Sequence, residues 1–159
     1  MDFNLTEDQI MVRDLVRGIL EKEVTHERLK KIEKDPDWFD RPLWATLAET
    51  GVLGLVVPEE LGGMGFGLLE LCALLNEVGR AVAPVPVFPT LVLGALPIRE
   101  FGTPAQKETW LAAVARGEAI LTAAMVDADA SDVDKPGTTA RKAGNDWVLN
   151  GQKNLVPAA

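Results

Sequence analysis

A mainly α-helical fold is predicted: a helical bundle that leads into the first strands of an incomplete β domain. Three observations carry this. Apolar residues recur at helical spacing from residue 10 onward. Two helices open on capping boxes, Thr6-Glu7-Asp8-Gln9 and Thr103-Pro104-Ala105-Gln106. After Gly117 the pattern changes to an apolar run, a loop rich in Asp, Ser, Pro and Gly, and an Asn-Gly turn. The expected division is a helical domain over 1–118 and the start of a β domain over 119–159.

The elements follow in order. Thr6 caps the first helix, Gln9 reaches back to it, and Leu5 with Ile10 is placed to form a hydrophobic staple. Ile10, Val12, Leu15, Val16, Ile19, Leu20 and Val24 form the apolar face, which weakens toward Ile32 until Asp35-Pro36-Asp37 breaks it. A second helix is expected over Arg41–Thr50, with Asp40 as cap and Gly51 just past its end. A third runs from about Leu68 to Arg80. The proline-dense APVPVFPTLVLGALPIREFG predicts a loop through Pro89 and then a short buried helix. Thr103 caps the last helix, Pro104 takes its first position and Gly117 closes it. ILTAAMV reads as a buried strand, and WVLNGQKNLV as a hairpin turning at Asn150-Gly151. One strand and one hairpin make a marginal sheet. The expectation is that another chain completes it or that this is the front part of a longer protein.

Composition removes several function classes. The chain has 159 residues, 47% hydrophobic and 25% charged, the balance of a globular protein. Its net charge of −8 argues against nucleic acid or an anionic membrane as partner. The basic cluster Arg28, Lys30, Lys31 and Lys34 is interleaved with Glu27, Glu33 and Asp35 and reads as a solvated helix face. Cys72 is the only cysteine and His26 the only histidine, which rules out an internal disulfide or a cysteine zinc site and leaves almost nothing on which to build a His-based metal site or a serine triad. Cys72 lies in an apolar helical run and reads as a buried, inert thiol. The acidic start MDFNLTEDQI lacks the basic region of a signal peptide, and no apolar stretch is long enough for a membrane span. A cytoplasmic protein is expected.

VPEELGGMGFG, between an apolar run and a helix, has the layout of a phosphate-cradling loop. The spacing Gly63-Met64-Gly65-Phe66-Gly67 is not G-x-G-x-x-G, and Glu59 with Glu60 would stand where phosphates lie. The favoured reading is a tight connection whose glycines permit close backbone approach.

The order of several blocks is more specific. FNLTEDQIMVRDLVRGIL, LWATLAETGVLGLVVPEELGGMGFG, LLNEVGRAVAP, REFGTPAQKETWLAAVARGE and TTARKAGNDWVLNGQK together resemble the N-terminal part of the acyl-CoA dehydrogenase family. The resemblance spans essentially the whole chain. It implies an N-terminal helical domain, a middle β domain and a C-terminal helical bundle, assembled as a homo- or hetero-oligomer. It implies FAD as cofactor, acyl-CoA as substrate, fatty acid β-oxidation as setting, and an electron-transfer flavoprotein as electron acceptor. In that family a glutamate removes the α-proton while the flavin takes the β-hydride. The base lies in the C-terminal domain of most members, so no catalytic residue is assigned in this chain. Glu59, Glu60, Glu70 and Glu77 read as surface charges.

Two family motifs at the flavin fall within the chain. The one resembling T-E-P-x-x-G-S-D reads Val126-Asp127-Ala128-Asp129-Ala130-Ser131-Asp132, one residue short, with valine at the threonine position. The one resembling K-x-W-I-T reads Lys153-Asn154-Leu155-Val156-Pro157, with leucine for tryptophan and proline for threonine. The resemblance therefore implies Val126, Asp127, Ser131, Leu155 and Pro157 as cofactor positions. By the same analogy Ser131, Leu71, Leu74 and Leu75 are substrate positions, although the three leucines by themselves favour plain helix core. An aromatic face and two hydroxyls are missing from the implied flavin wall. That supports a second reading, a non-catalytic dehydrogenase-like subunit within a heteromeric complex.

Overall fold

The computed structural model describes residues 4–128 and 132–158. The chain divides into two compact units, residues 1–121 and 122–159.

Among the described residues the first unit holds six α-helices: α1 (Glu7–Glu23), α2 (His26–Ile32), α3 (Arg41–Glu49), α4 (Leu68–Ala81), α5 (Leu96–Phe101) and α6 (Pro104–Ala115). Both capping boxes form. The Thr6 N–H donates to Gln9 Oε1 at 3.1 Å and the Gln9 N–H to Thr6 Oγ1 at 3.3 Å; the Thr103–Gln106 pair repeats this at 2.8 and 3.3 Å. Asp40 caps α3 by accepting from the Leu43 N–H at 3.0 Å, and Gly51 follows the helix in the left-handed region, φ 77°. Leu5 and Ile10, the expected staple, remain 44% and 39% exposed, so neither is buried by the other.

The first apolar stripe does not continue as one helix. Val24 leaves helical geometry and Thr25 accepts from the Arg28 N–H at 3.2 Å, starting α2 afresh. A hydroxyl at that position competes for the backbone and favours a cap over a helix interior. Arg28 also departs from the solvated-face reading: its guanidinium holds the buried Asp40, Nη2 to Oδ1 at 2.7 Å, and Glu23 Oε2 at 2.6 Å. Residues 89–101 form a π-helical segment (Pro89–Ala95) running into α5, and helical backbone already begins at Val87, ahead of the expected loop end at Pro89.

The core gathers Val12, Val16 and Leu20 of α1, Leu43 and Leu47 of α3, Leu71 and Leu74 of α4, and Leu111 of α6 around the run Val52–Val57, all buried. That run is a tight turn with a short 3₁₀ segment at Val52–Gly54. The Trp44 indole N–H closes the base of α3 onto the Gly117 carbonyl at 2.9 Å.

Among the described residues the second unit holds four short strands: β1 (Val126–Asp127), β2 (Thr139–Ala143), β3 (Asp146–Asn150) and β4 (Lys153–Asn154). Two expectations are corrected here. ILTAAMV is not a strand; only Val126 at its end enters a ladder, because only there does a partner strand meet it. The hairpin turns at Gly144-Asn145, with Ala143 opposite Asp146 and Gly144 at φ 65°, rather than at Asn150-Gly151. That turn pairs five residues on each side, whereas a turn at Asn150-Gly151 would forfeit the β4 pairing with β1. Gly151 instead lies so close to Thr138 that a Cβ on it would stand 2.4 Å from the Thr138 hydroxyl oxygen.

Candidate functional site

The glycine loop is closed to phosphate. Every N–H from Leu61 to Gly67 already has an acceptor. Leu61 and Gly63 donate to Pro58 O, Gly62 to Glu59 O, Met64 to Gly54 O, Gly65 to Val57 O and Phe66 to Leu55 O, at 2.8–3.1 Å. Gly67 donates to Glu70 Oε2 at 3.0 Å. An anion cradle needs free amides, and here they bind the loop back onto the buried run. Arg99 Nη1 pins the two sides by donating to Val56 O and Phe66 O, both at 2.9 Å.

The carboxylates sort by partner. Glu59 and Glu60 are exposed. Glu70 caps Gly67 and accepts from Gln9 Nε2 at 3.0 Å; the Gln9 amide, first among these donors, lowers its pKa. Glu77 is not the surface charge that its residue type suggested. It has no exposed surface and lies between two arginines. Arg17 Nη2 meets its Oε1 at 2.7 Å, and Arg17 Nε and Arg80 Nε meet its Oε2 at 3.1 and 2.7 Å. Arg17, then Arg80, hold its pKa down to about 2 against the opposing effect of burial. A carboxylate that acidic is a poor general base at neutral pH. Its place was readable in principle, since Glu77 follows Leu71 and Leu74 at steps of three on the buried face of α4. Cys72 departs the other way: it is exposed on α4. No group of three or more His, Cys, Asp or Glu among the described residues could hold a metal ion.

The two segments assigned to a flavin by resemblance come together. β1 and β4 pair antiparallel, Val126 opposite Asn154 and Asp127 opposite Lys153. The Ala128 N–H extends the pair by donating to Gln152 O at 3.1 Å. Asp127, 8% exposed, clamps the arrangement. It accepts from Lys153 Nζ at 2.9 Å, from the Gly137 N–H at 3.0 Å and from the Thr138 hydroxyl. Lys153 Nζ also donates to Met125 O at 3.3 Å. The Thr138 hydroxyl first, and Lys153 second, lower the Asp127 pKa. Asp127 is therefore fully engaged within its own unit. The sequence showed the opposite charges at the heads of both motifs, but not that they pair. Removing the carboxylate in Asp127→Ala is expected to speed hydrogen exchange at the Gly137 and Ala128 amides by about tenfold or more, read by mass spectrometry.

Val126 is half-buried, Pro157 exposed, and Leu155 86% exposed in the left-handed region, φ 52°. Ser131 lies outside the described residues. Among the described residues of these segments, Leu155 is the apolar side chain that projects. They offer no side-chain hydroxyl at 126 or 157, and the Thr138 hydroxyl is already taken by Asp127. The described residues of these segments fit a flavin ring as a packing surface.

The expected substrate leucines divide. Leu71 and Leu74 are fully buried where α4 packs on α1, and Leu75 is half-buried at the edge of that contact. Leu68, Leu69, Cys72, Asn76 and Gly79 occupy the open face of α4.

Residues 6–118 match the family model described as acyl-CoA dehydrogenase, N-terminal domain. The chain is 39% identical over 139 residues to acyl-CoA dehydrogenase FadE28 of Mycobacterium tuberculosis, covering 87% of this chain and 35% of that protein. Among solved structures it superposes on the Tcur3481–Tcur3483 steroid ACAD with a TM-score of 0.90 and 43% identity, over 96% of this chain and 42% of that one. It superposes on the ChsE4–ChsE5 complex from Mycobacterium tuberculosis with a TM-score of 0.89 and 33% identity, over 98% of this chain and 42% of that one. The chain thus spans between 35% and 42% of the length of these proteins.

Proposed function

The chain belongs to the acyl-CoA dehydrogenase family, and on that premise we propose that it forms the N-terminal part of an FAD-dependent enzyme that removes two hydrogens from Cα and Cβ of an acyl-CoA thioester. The observation that carries this is the β1–β4 pair, which sets the two flavin-motif segments side by side and clamps them through Asp127 and Lys153. FAD, when bound, supplies the hydride acceptor. Leu155 gives the ring an apolar surface, with Val126 and Pro157 as its neighbours, and Ser131 supplies the hydroxyl of the Ser-Asp pair. Glu59, Glu60, Glu70 and Glu77 are not assigned as the base: Glu59 and Glu60 are exposed, and Glu70 and Glu77 are engaged by structural partners. The α-proton goes to a base outside this chain, and the electrons pass to an electron-transfer flavoprotein. α4 is the acyl-facing helix, with Leu75 at the pocket edge and Leu71 and Leu74 supporting it from the core. Among the described residues no helix is long and apolar enough to cross a membrane.

The test is product mass. Incubated with acyl-CoA and an artificial electron acceptor, the full-length protein that carries this chain and the base is expected to yield the enoyl-CoA, lighter by two hydrogens, whereas this chain alone is expected to be inactive. Recovery of unchanged thioester with flavin bound would count against the proposal.

A second reading is supported by Val126, Leu155 and Pro157. Here the chain is a flavin-poor subunit that contributes to a site completed by a homologous partner. The two-component names of the steroid ACAD and of the ChsE4–ChsE5 complex agree with such an assembly. One FAD per copy of this chain in the protein purified alone would remove this reading.

A further inference from the structure

We propose that Asn150 is a site of spontaneous covalent modification, where attack by the Gly151 amide nitrogen converts the asparagine into aspartate and isoaspartate. An Asn-Gly pair has the chemistry of a turn, yet the hairpin turns at Gly144-Asn145 and leaves this pair at the end of β3. The assignment stands on the placement of the pair and does not depend on the acyl-CoA reading.

Both reacting groups are open. Asn150 and Gly151 are exposed. Asn150 is the last residue of β3, opposite Thr139, whose hydroxyl donates to the Asn150 carbonyl at 3.4 Å. Among the described residues nothing holds the Asn150 side-chain amide, and no acceptor takes the Gly151 N–H. The end pair of a two-stranded ladder frays, and glycine rotates freely about its backbone bonds, so the amide nitrogen can reach Asn150 Cγ. A side chain at position 151 would obstruct that approach, and the fold excludes one. A Cβ there would stand 2.4 Å from the Thr138 hydroxyl oxygen and 2.8 Å from the Thr138 Cα. Packing against Thr138 thus demands the residue that leaves the attack unobstructed.

The reaction needs only water. The Gly151 nitrogen bonds to Asn150 Cγ, the Cγ–Nδ2 bond breaks, and Nδ2 departs as ammonia with the proton from Gly151. Water then opens the succinimide ring at one of its C–N bonds. Cleavage at Cγ gives aspartate, and cleavage at the main-chain carbonyl gives isoaspartate. Nothing is oxidised or reduced. Either product adds one negative charge to the net −8. Isoaspartate also routes the main chain through Cβ and Cγ, longer by one bond of about 1.5 Å. Only Gly151 and Gln152 separate β3 from β4, and Gln152 O accepts from the Ala128 N–H at 3.1 Å. The added length falls where β4 is held against β1, so isoaspartate loosens that pair.

The test holds the full-length protein that carries this chain at mildly alkaline pH, folded in one sample and unfolded in urea in another. The peptide spanning Asn150 is followed by chromatography and mass spectrometry. Two new peaks about 1 Da heavier are expected, formed in the folded protein at no less than roughly a tenth of the unfolded rate. Conversion at Asn150 should be about tenfold faster than at Asn145 or Asn154, which no glycine follows. Asn150→Gln should remove both peaks. In the isoaspartate fraction the Ala128 amide should exchange about tenfold faster. Conversion in urea without conversion in the folded protein would overturn the site. So would equal rates at Asn145 and Asn154. Unchanged Ala128 exchange in the isoaspartate fraction would overturn the loosening of β4.

Discussion

Replacing Gly63 with alanine is expected to destabilise the helical unit severely. A Cβ there would stand 2.0 Å from the Val57 carbonyl oxygen and 2.5 Å from its carbon. Both are backbone atoms of the buried run, so no rotamer change relieves the clash. Moving the loop outward would stretch the bonds from Gly63, Met64, Gly65 and Phe66 to Pro58, Gly54, Val57 and Leu55. The expected cost is about 4 kcal/mol or more, a large part of a typical total of about 5–15 kcal/mol. Gly18→Ala is the control. Gly18 lies inside α1 with nothing within 4 Å of an added Cβ, so the same change should stabilise by about 1 kcal/mol. Urea unfolding of both variants measures the contrast. Equal midpoints would mean that the loop does not pack on the run as described.

The second large effect is expected at Glu77. Glu77→Gln keeps the shape but removes the charge that Arg17 and Arg80 share, and it turns an amide N–H₂ toward a guanidinium. A loss of about 2–3 kcal/mol follows, or roughly 8 °C in the thermal midpoint for a chain of this size. The same pair gives an acid dependence. The native Glu77 pKa is about 2, below the ordinary 4.5, so below pH 4.5 the unfolded chain binds the proton first. The stabilisation is complete above pH 4.5 and fades as the pH falls toward 2. At about 1.4 kcal/mol per tenfold change in proton affinity it amounts to about 3 kcal/mol at most. The arginines are 40% and 44% exposed, so solvent screening reduces it, and about 2 kcal/mol is the expected value. Urea midpoints at pH 6 and pH 3 should therefore converge in Glu77→Gln relative to the unmodified chain.

Local chemistry was legible in the sequence, and long-range pairing was not. The caps at Thr6, Asp40 and Thr103 need only residues three positions away, and each formed where expected. The closed glycine loop was legible because Glu59 and Glu60 already opposed an anion. Glu77 was missed because its partner Arg17 lies sixty residues earlier, although its place on the α4 core face was a usable sign. The second unit misled for a different reason. Asn150-Gly151 has the stronger turn chemistry, but β1 takes the following residues as its partner, so the turn falls at Gly144-Asn145. The flavin motifs were recognised by resemblance, whereas the Asp127–Lys153 clamp that joins them comes from the fold.

The central proposal is that the full-length protein containing this chain dehydrogenates an acyl-CoA at a flavin. The most direct test is the flavin absorbance of the purified full-length protein while acyl-CoA is added without oxygen. Bleaching of that absorbance on addition of thioester is the predicted result. A bound flavin that stays oxidised with every acyl-CoA, from butanoyl to steroid side-chain thioesters, would contradict the account.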